Sequence, residues 1–203
     1  MNSSAEAVTP AGPLPAPATG GGPAVPRRAA ARRLATGVCV LTAAHQGAVH
    51  GTTVSAVGAV SRDPLLISVC LRNGSTFTEL ARKAGTFTAG LLTSRQALVA
   101  DWFANPARTP NYGQFALLDW QPDPVTGAPA LRNTLATLSC RITACHPAGD
   151  HELLIAEVTE GSNGAGSPLL NFDGRLFGAE IHEVNERRSN RHDPDRTSAR
   201  ALD

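Results

Sequence analysis

Apolar and polar residues alternate with a period of two over much of the middle of the chain, the pattern of half-buried strands. Val38, Val40 and Leu41, set among Thr36 and Thr42, predict a first strand, with Gln46-Gly47 as the turn into a second that begins near Val49. Residues 54–60 and 65–71 follow as further strands. They are joined by Ser61-Arg62-Asp63-Pro64, whose proline lacks the N–H a central strand needs.

The period then changes. Thr76-Phe77-Thr78-Glu79 has capping-box spacing with Thr76 as the cap, and Phe77, Leu80, Ala81 and Ala84 fall on one helical face before Gly85. Residues 86–92 predict a strand, and Ser94 the cap of a second helix with Leu98, Trp102 and Phe103 as its apolar stripe. Residues 105–114 form a proline-containing loop too polar for a core. Residues 131–144 and 153–159 alternate as the arms of a hairpin, linked by the turn-rich run from Cys145 to His151. The last element covers residues 168–177, with Asp173-Gly174 as its turn. Six or more strands with two or three helices predict a mainly β fold, a closed or nearly closed antiparallel barrel that hides strand edges.

Composition changes this picture at the ends. Residues 1–26 are rich in Pro, Ala and Gly and offer little apolar area to offset the entropy of ordering, so disorder is expected there. The run from about Ile181 is a mixed-charge tail, either solvated or docked on a partner subunit. One domain is expected between them, over residues 27–180.

Charge excludes some partners. With 18 Lys and Arg against 17 Asp and Glu, no overall field draws nucleic acid or an acidic membrane. No apolar run approaches the roughly 20 residues that span a bilayer. The first residues lack the charged and apolar blocks of a secretory signal, so a cytoplasmic protein is expected. Cys39, Cys70, Cys140 and Cys145 form no CxxC pair, which favours free thiols over a disulfide framework, and the histidine spacing favours no metal.

The candidate chemistry begins where an apolar strand runs into Arg72-Asn73-Gly74-Ser75-Thr76. A loop rich in Gly and hydroxyls at a helix start offers free N–H groups, side-chain donors and the positive end of the helix dipole, which together suit an anion. The same pattern serves a plain capped helix. In Gly149-Asp150-His151, the histidine is a surface side chain or a group at the rim of a ligand cleft, and Asp150 reads as a turn former. No paired nucleophile and base stand out, which leaves a bound cofactor to carry any reaction.

Several stretches taken in order carry a more specific signal. They are Ala35-Thr36-Gly37-Val38-Cys39-Val40-Leu41-Thr42, His50-Gly51-Thr52-Thr53-Val54, Ser61-Arg62-Asp63-Pro64-Leu65, Gln96-Ala97-Leu98, Leu138-Ser139-Cys140-Arg141, Gly149-Asp150-His151 and Pro168-Leu169-Leu170. Together they resemble the short-chain flavin reductase family across residues 27–178. The resemblance implies an FMN-binding split β-barrel that forms homodimers with the site at the subunit interface. It implies NADH- or NADPH-dependent reduction of FMN or FAD by direct hydride transfer, with reduced flavin passed to a separate monooxygenase.

On this resemblance Arg72, Asn73, Gly74, Ser75 and Thr76 lie at the flavin phosphate. Thr53, Val54, Ser55 and Ala56 lie beside the ring, Gly90 is a further cofactor contact, and His151 serves the catalytic step near the nicotinamide. This chain departs from the family pattern at three places. Thr53-Val54-Ser55-Ala56 stands for Thr-x-Asn-Ser, Gly90 for an asparagine, and Asn171 and Leu176 for aromatic residues flanked by Phe172 and Phe177. Because fold does not fix function, a repurposed biosynthetic enzyme or a non-catalytic flavin- or ligand-binding accessory protein on the same scaffold stays open.

Overall fold

Two-residue turns set the strand pairings. The computed structural model describes residues 27–178 and 180–182. Gln46 and Gly47, with φ of 47° and 79°, join β2 (Cys39–His45) to β3 (Ala48–Val54). Asp173 and Gly174, with φ of 53° and 73°, join β11 (Leu169–Phe172) to β12 (Arg175–Gly178). Both turns need positive φ, which Gly tolerates freely and Gln and Asp less well.

A seven-stranded antiparallel sheet runs in the order β3-β2-β6-β9-β10-β5-β4. Its other members are β4 (Val57–Arg62), β5 (Leu65–Arg72), β6 (Thr86–Leu91), β9 (Ala136–Ala148) and β10 (His151–Asn163). The edge strands β3 and β4 are not hydrogen-bonded to each other, so the barrel stays split rather than closed. A second sheet joins β1 (Thr36–Gly37) to β11 and β12, and a third pairs β7 (Trp120–Pro122) with β8 (Pro129–Leu131). The expected mainly β architecture is present.

Two apolar cores result. Leu41, Val54, Val69, Phe77, Phe87 and Leu154 fill the barrel interior. α2 (Thr76–Ala84) closes one end by burying Phe77 and Ala81, and Gly85 at φ 72° stops the helix. On the outer side Val38, Val40, Val49, Phe103, Phe115 and Leu169 form the second core, under α3 (Ala97–Ala104). A short helix, α1 (Arg27–Ala31), leads into β1.

Several boundaries differ from the sequence reading. The strand expected over residues 54–60 is broken at Ser55 and Ala56, where the chain turns from β3 into β4. The strand expected over residues 131–144 is likewise two pieces, β8 and β9. The cap of α2 is Ser75, whose Oγ accepts from Thr78 N at 3.1 Å, so Thr76 is the first helical residue. At the second helical segment the cap is Thr93 instead of Ser94: Gln96 Oε1 accepts from Thr93 N at 3.1 Å across a 3-10 turn that precedes α3.

Leu98 faces solvent at 83 % exposure, while Ala100 and Phe103 are the buried side of α3. Gln114, placed in a loop too polar for a core, is buried because its amide is fully engaged. Gly51 N donates to its oxygen at 2.9 Å, and its nitrogen donates to Val49 O and Asn111 O. The hairpin arms run longer than expected, with only Gly149 and Asp150 between them. The tails at residues 1–26 and beyond His182 lie outside the described residues.

Candidate functional site

The interruption between β3 and β4 leaves a corner of Thr53, Val54, Ser55 and Ala56. Val54 is buried in the barrel, Thr53 and Ser55 are half-buried and Ala56 is exposed. Thr53 Oγ1 donates to the α3 carbonyl of Ala100 at 2.7 Å. Ala56 O accepts from Cys70 N at 3.1 Å, which ties the corner to β5.

Two residues beyond Cys70, β5 ends at Arg72 and the chain enters α2. Ser75 N bonds back to Arg72 O at 3.2 Å. Ser75 Oγ caps Thr78 N and also lies 2.6 Å from Thr78 Oγ1, while Ser75 O takes Glu79 N. The helix end is therefore partly satisfied from within. The N–H groups of Gly74, Thr76 and Phe77 have no hydrogen-bond partner among the described residues, and Arg72, Asn73, Gly74 and Thr76 are exposed. These amides at the positive end of a helix, with a guanidinium alongside, are chemically suited to a phosphate.

The β9–β10 turn meets this loop directly. His151 and Arg72 are cross-strand partners, so their side chains share the outer face of the sheet. Asn73 N donates to Asp150 O at 3.1 Å, and Asn73 Nδ2 to Gly149 O at 3.2 Å. Asp150 does more than turn the chain. Its Oδ1 lies 2.8 Å from His151 Nδ1, and since a carboxylate only accepts, that nitrogen carries the proton. The hydrogen bond from His151, then the charges of His151 and Arg72, hold the Asp150 carboxyl below its ordinary range.

The corner at residues 53–56, the loop at residues 72–76 and the turn at residues 149–151 thus converge across β5. Gly90 does not join the loop. It lies in β6, two strands from Thr53 through Val40, and a Cβ there would meet Thr134 Cγ2 at 3.3 Å. Its place in a ring contact rests on sharing a cross-strand row with Thr53. A cleft of about 1640 Å³ lies elsewhere, lined by Ser94, Arg95, Gln96, Arg132, Thr137 and Ser162 among others. None of the expected cofactor-binding residues nor His151 lines it, although Gln96 and Ser139 from the family-like stretches do. Its volume does not outrank the convergence of charged and hydroxyl groups at the other place.

A cluster with no sequence signal holds α3 against the corner. The Arg108 guanidinium donates to Gly51 O, to His50 Nε2 at 2.9 Å, to Gln114 Oε1 at 3.3 Å and to Asn105 O at 2.7 Å. It also lies 5.7 Å from the Phe103 ring centroid. Burial, then the Arg108 charge, lowers the His50 pKa to about 4, so His50 is the neutral acceptor that Arg108 needs. Behind it, Phe103 sits against Gly51, where a Cβ would come within 2.5 Å of the ring.

The substituted aromatic positions are explained by facing. Leu176 packs into the outer core, and Asn171 is its cross-strand partner. Phe172 and Phe177 lie on the other face in an edge contact at 6.3 Å, with Arg33 over Phe172 at 5.6 Å.

Comparison with known proteins gives a consistent result. The family model for the flavin reductase like domain matches residues 31–180. An NADPH-flavin oxidoreductase of Streptomyces viridifaciens is 46% identical over 158 residues, covering 77% of this chain and 81% of that protein. The reductase component of a 4-nitrophenol 4-monooxygenase/4-nitrocatechol 2-monooxygenase from Rhodococcus opacus is 37% identical, covering 70% and 74%. Among solved structures, the flavin reductase component of a bacterial two-component tryptophan halogenase superposes with a TM-score of 0.72 at 28% identity, covering 77% of this chain and 98% of that one.

Proposed function

The chain belongs to the flavin reductase-like family, and we propose that it is an NAD(P)H:flavin oxidoreductase that reduces diffusible FMN or FAD for a separate flavin-dependent monooxygenase. The observation that carries this reading is the meeting of the corner at residues 53–56, the loop at residues 72–76 and the turn at residues 149–151 around β5. The donor set fits a flavin nucleotide. Arg72, Asn73 and the free amides of Gly74 and Thr76 take the phosphate, with Ser75 shaping the helix end as its cap. Thr53, Val54, Ser55 and Ala56 border the ring, and Gly90 shares the cross-strand row of Thr53.

Flavin, when bound, supplies a hydride acceptor and the nicotinamide a donor, so no acid or base is required of the protein for the transfer itself. What remains is orientation. His151, with Nδ1 fixed on Asp150, presents Nε2 outward and positions the nicotinamide. Relatives named for NADPH and for NADH leave either nucleotide as the reductant, and the relative named as a monooxygenase reductase component supports the oxygenase partner.

The reading includes a cytoplasmic homodimer. Cys70, Leu153 and Ile155 are half-buried on the outer face of β5 and β10, on the same side as Arg72 and His151. A second subunit on that face would cover them and wall the site. The four thiols are free, in keeping with a reducing compartment.

The test is NADPH or NADH oxidation by the purified full chain with and without FMN or FAD, followed by the absorbance of the reduced nicotinamide. Oxidation that depends on added flavin supports the reading. Flavin binding without oxidation of either nucleotide would assign the chain to the accessory class instead.

A further inference from the structure

Hydroxyl polarity at the β3–β4 corner carries a consequence for which atoms of a ligand can bind there. A hydroxyl has one proton to give. Thr53 has already given its proton, because the backbone carbonyl of Ala100, 2.7 Å away, can only accept. Toward any ligand Thr53 Oγ1 is therefore an acceptor and nothing else. Ser55, two residues on and also half-buried, makes no side-chain hydrogen bond among the described residues, so its hydroxyl keeps its donor.

The carbonyl that sets this polarity is held from several sides. α3 is anchored by Trp102 Nε1 donating to Gln114 O at 2.8 Å and by the Arg108 fork on Gly51 O and Gln114. Phe103 lies against Gly51 with no room for a Cβ. Rotating the Thr53 hydroxyl toward a ligand carbonyl would leave the Ala100 oxygen without this partner, which opposes the reversal.

On the flavin-reductase reading given above, on which this inference rests, the corner borders the isoalloxazine ring. We propose that Thr53 is a specificity-determining residue that accepts a hydrogen bond from the flavin imide N3–H, while Ser55 donates to an adjacent ring carbonyl. The imide edge presents one N–H between two carbonyl oxygens. An obligate acceptor beside a free donor matches that edge and mismatches a ligand that offers only carbonyls to Thr53.

The experiment compares FMN with its N3-methyl analogue as substrates of the full chain. Wild type is expected to show a KM about 3- to 10-fold higher for N3-methyl-FMN, with kcat little changed, since one hydrogen bond to the ring is lost. Thr53→Val, nearly isosteric, is expected to raise the KM for FMN by a similar factor and to lose the discrimination between the two flavins. Thr53→Ser is expected to keep it.

Equal KM values for both flavins in wild type would overturn the proposal, as would undiminished discrimination in a folded Thr53→Val. The wild-type comparison stands by itself if Thr53→Val fails to fold. Reduction of neither flavin by wild type with NADH or NADPH would overturn the flavin-reductase reading itself, a result distinguishable from equal turnover of both.

Discussion

Gly51→Ala isolates the contact that holds α3 against the site. The added Cβ would lie 2.5 Å from Phe103 Cε1, 2.8 Å from Cδ1 and 3.2 Å from Phe115 Cζ. A flexible side-chain tip would swing away, but Phe103 is 1 % exposed. It is pinned by Phe115 at 5.2 Å between centroids and by the Arg108 guanidinium on its ring. The clash must therefore be relieved by moving α3 or β3.

Overpacking of this kind costs about 1–3 kcal/mol. For a chain of this size each kcal/mol lowers Tm by roughly 2–4 °C, so a loss of about 4–8 °C is expected at the middle of that range. Denaturant unfolding followed by Trp102 and Trp120 fluorescence measures it, and Phe103→Leu in the same chain should recover part of the loss by making room. Because α3 carries the Ala100 carbonyl, the flavin KM of Gly51→Ala should also rise. A Gly51→Ala protein within about 0.5 kcal/mol of wild type, the scatter of neutral substitutions, would refute the packing argument.

Further expectations follow from single residues. His50 has a folded pKa of about 4 against an ordinary 6.5, so the unfolded chain binds the proton first as pH falls. Its contribution is present above about pH 6.5 and is lost toward pH 4, with its size reduced by solvent screening at this half-buried site. His50→Gln should flatten that part of a stability-pH profile, and an unchanged profile would remove His50 from the account. Ser75→Ala should cost about 1 kcal/mol through the lost cap on Thr78 N, measured by denaturant unfolding. Arg72→Ala should raise the flavin dissociation constant about tenfold with little change in kcat, as expected for loss of a charge-assisted phosphate contact, read from a fluorescence titration. Asp123 accepts from Val125 N, Thr126 N and Ser139 Oγ. Burial raises its pKa, but these bonds outweigh burial and lower it, so Asp123→Ala should cost about 2–3 kcal/mol near neutral pH.

The parts of the fold legible in the sequence are those that depend on neighbours in the chain. Gln46-Gly47 and Asp173-Gly174 were readable because a two-residue hairpin needs positive φ at both positions. α2 was readable in extent but not in cap, since adjacent hydroxyl residues stand at its start and Ser75 Oγ is the one that accepts from Thr78 N. Leu98 and Gln114 were misplaced for a tertiary reason. The former faces solvent at the surface of the described residues, whereas the latter finds Gly51 N and the carbonyls of Val49 and Asn111 waiting in the outer core.

The site shows the same division. The separate motifs at Thr53, Arg72 and His151 could be named, but that Arg72 faces His151 across two strands is set by sheet register. Nothing local to Arg108 announced that it would reach His50 and Gly51, because that reach depends on where α3 and its following loop come to rest. The turn residue Asp150 gained a second role only once the hairpin put its carboxylate beside His151.

The central claim is that the residues converging across β5, and not the cleft lined by Arg95, Gln96 and Arg132, receive the flavin. Amide chemical shifts of the isotopically labelled full chain, followed during an FMN titration, test it residue by residue. The account predicts saturable shifts at Ser55 and Ala56, Asn73, Gly74 and Thr76, and Asp150 and His151. Shifts confined to Arg95, Gln96, Arg132 and Ser162, with Ser55, Asn73, Gly74 and His151 silent, would contradict it.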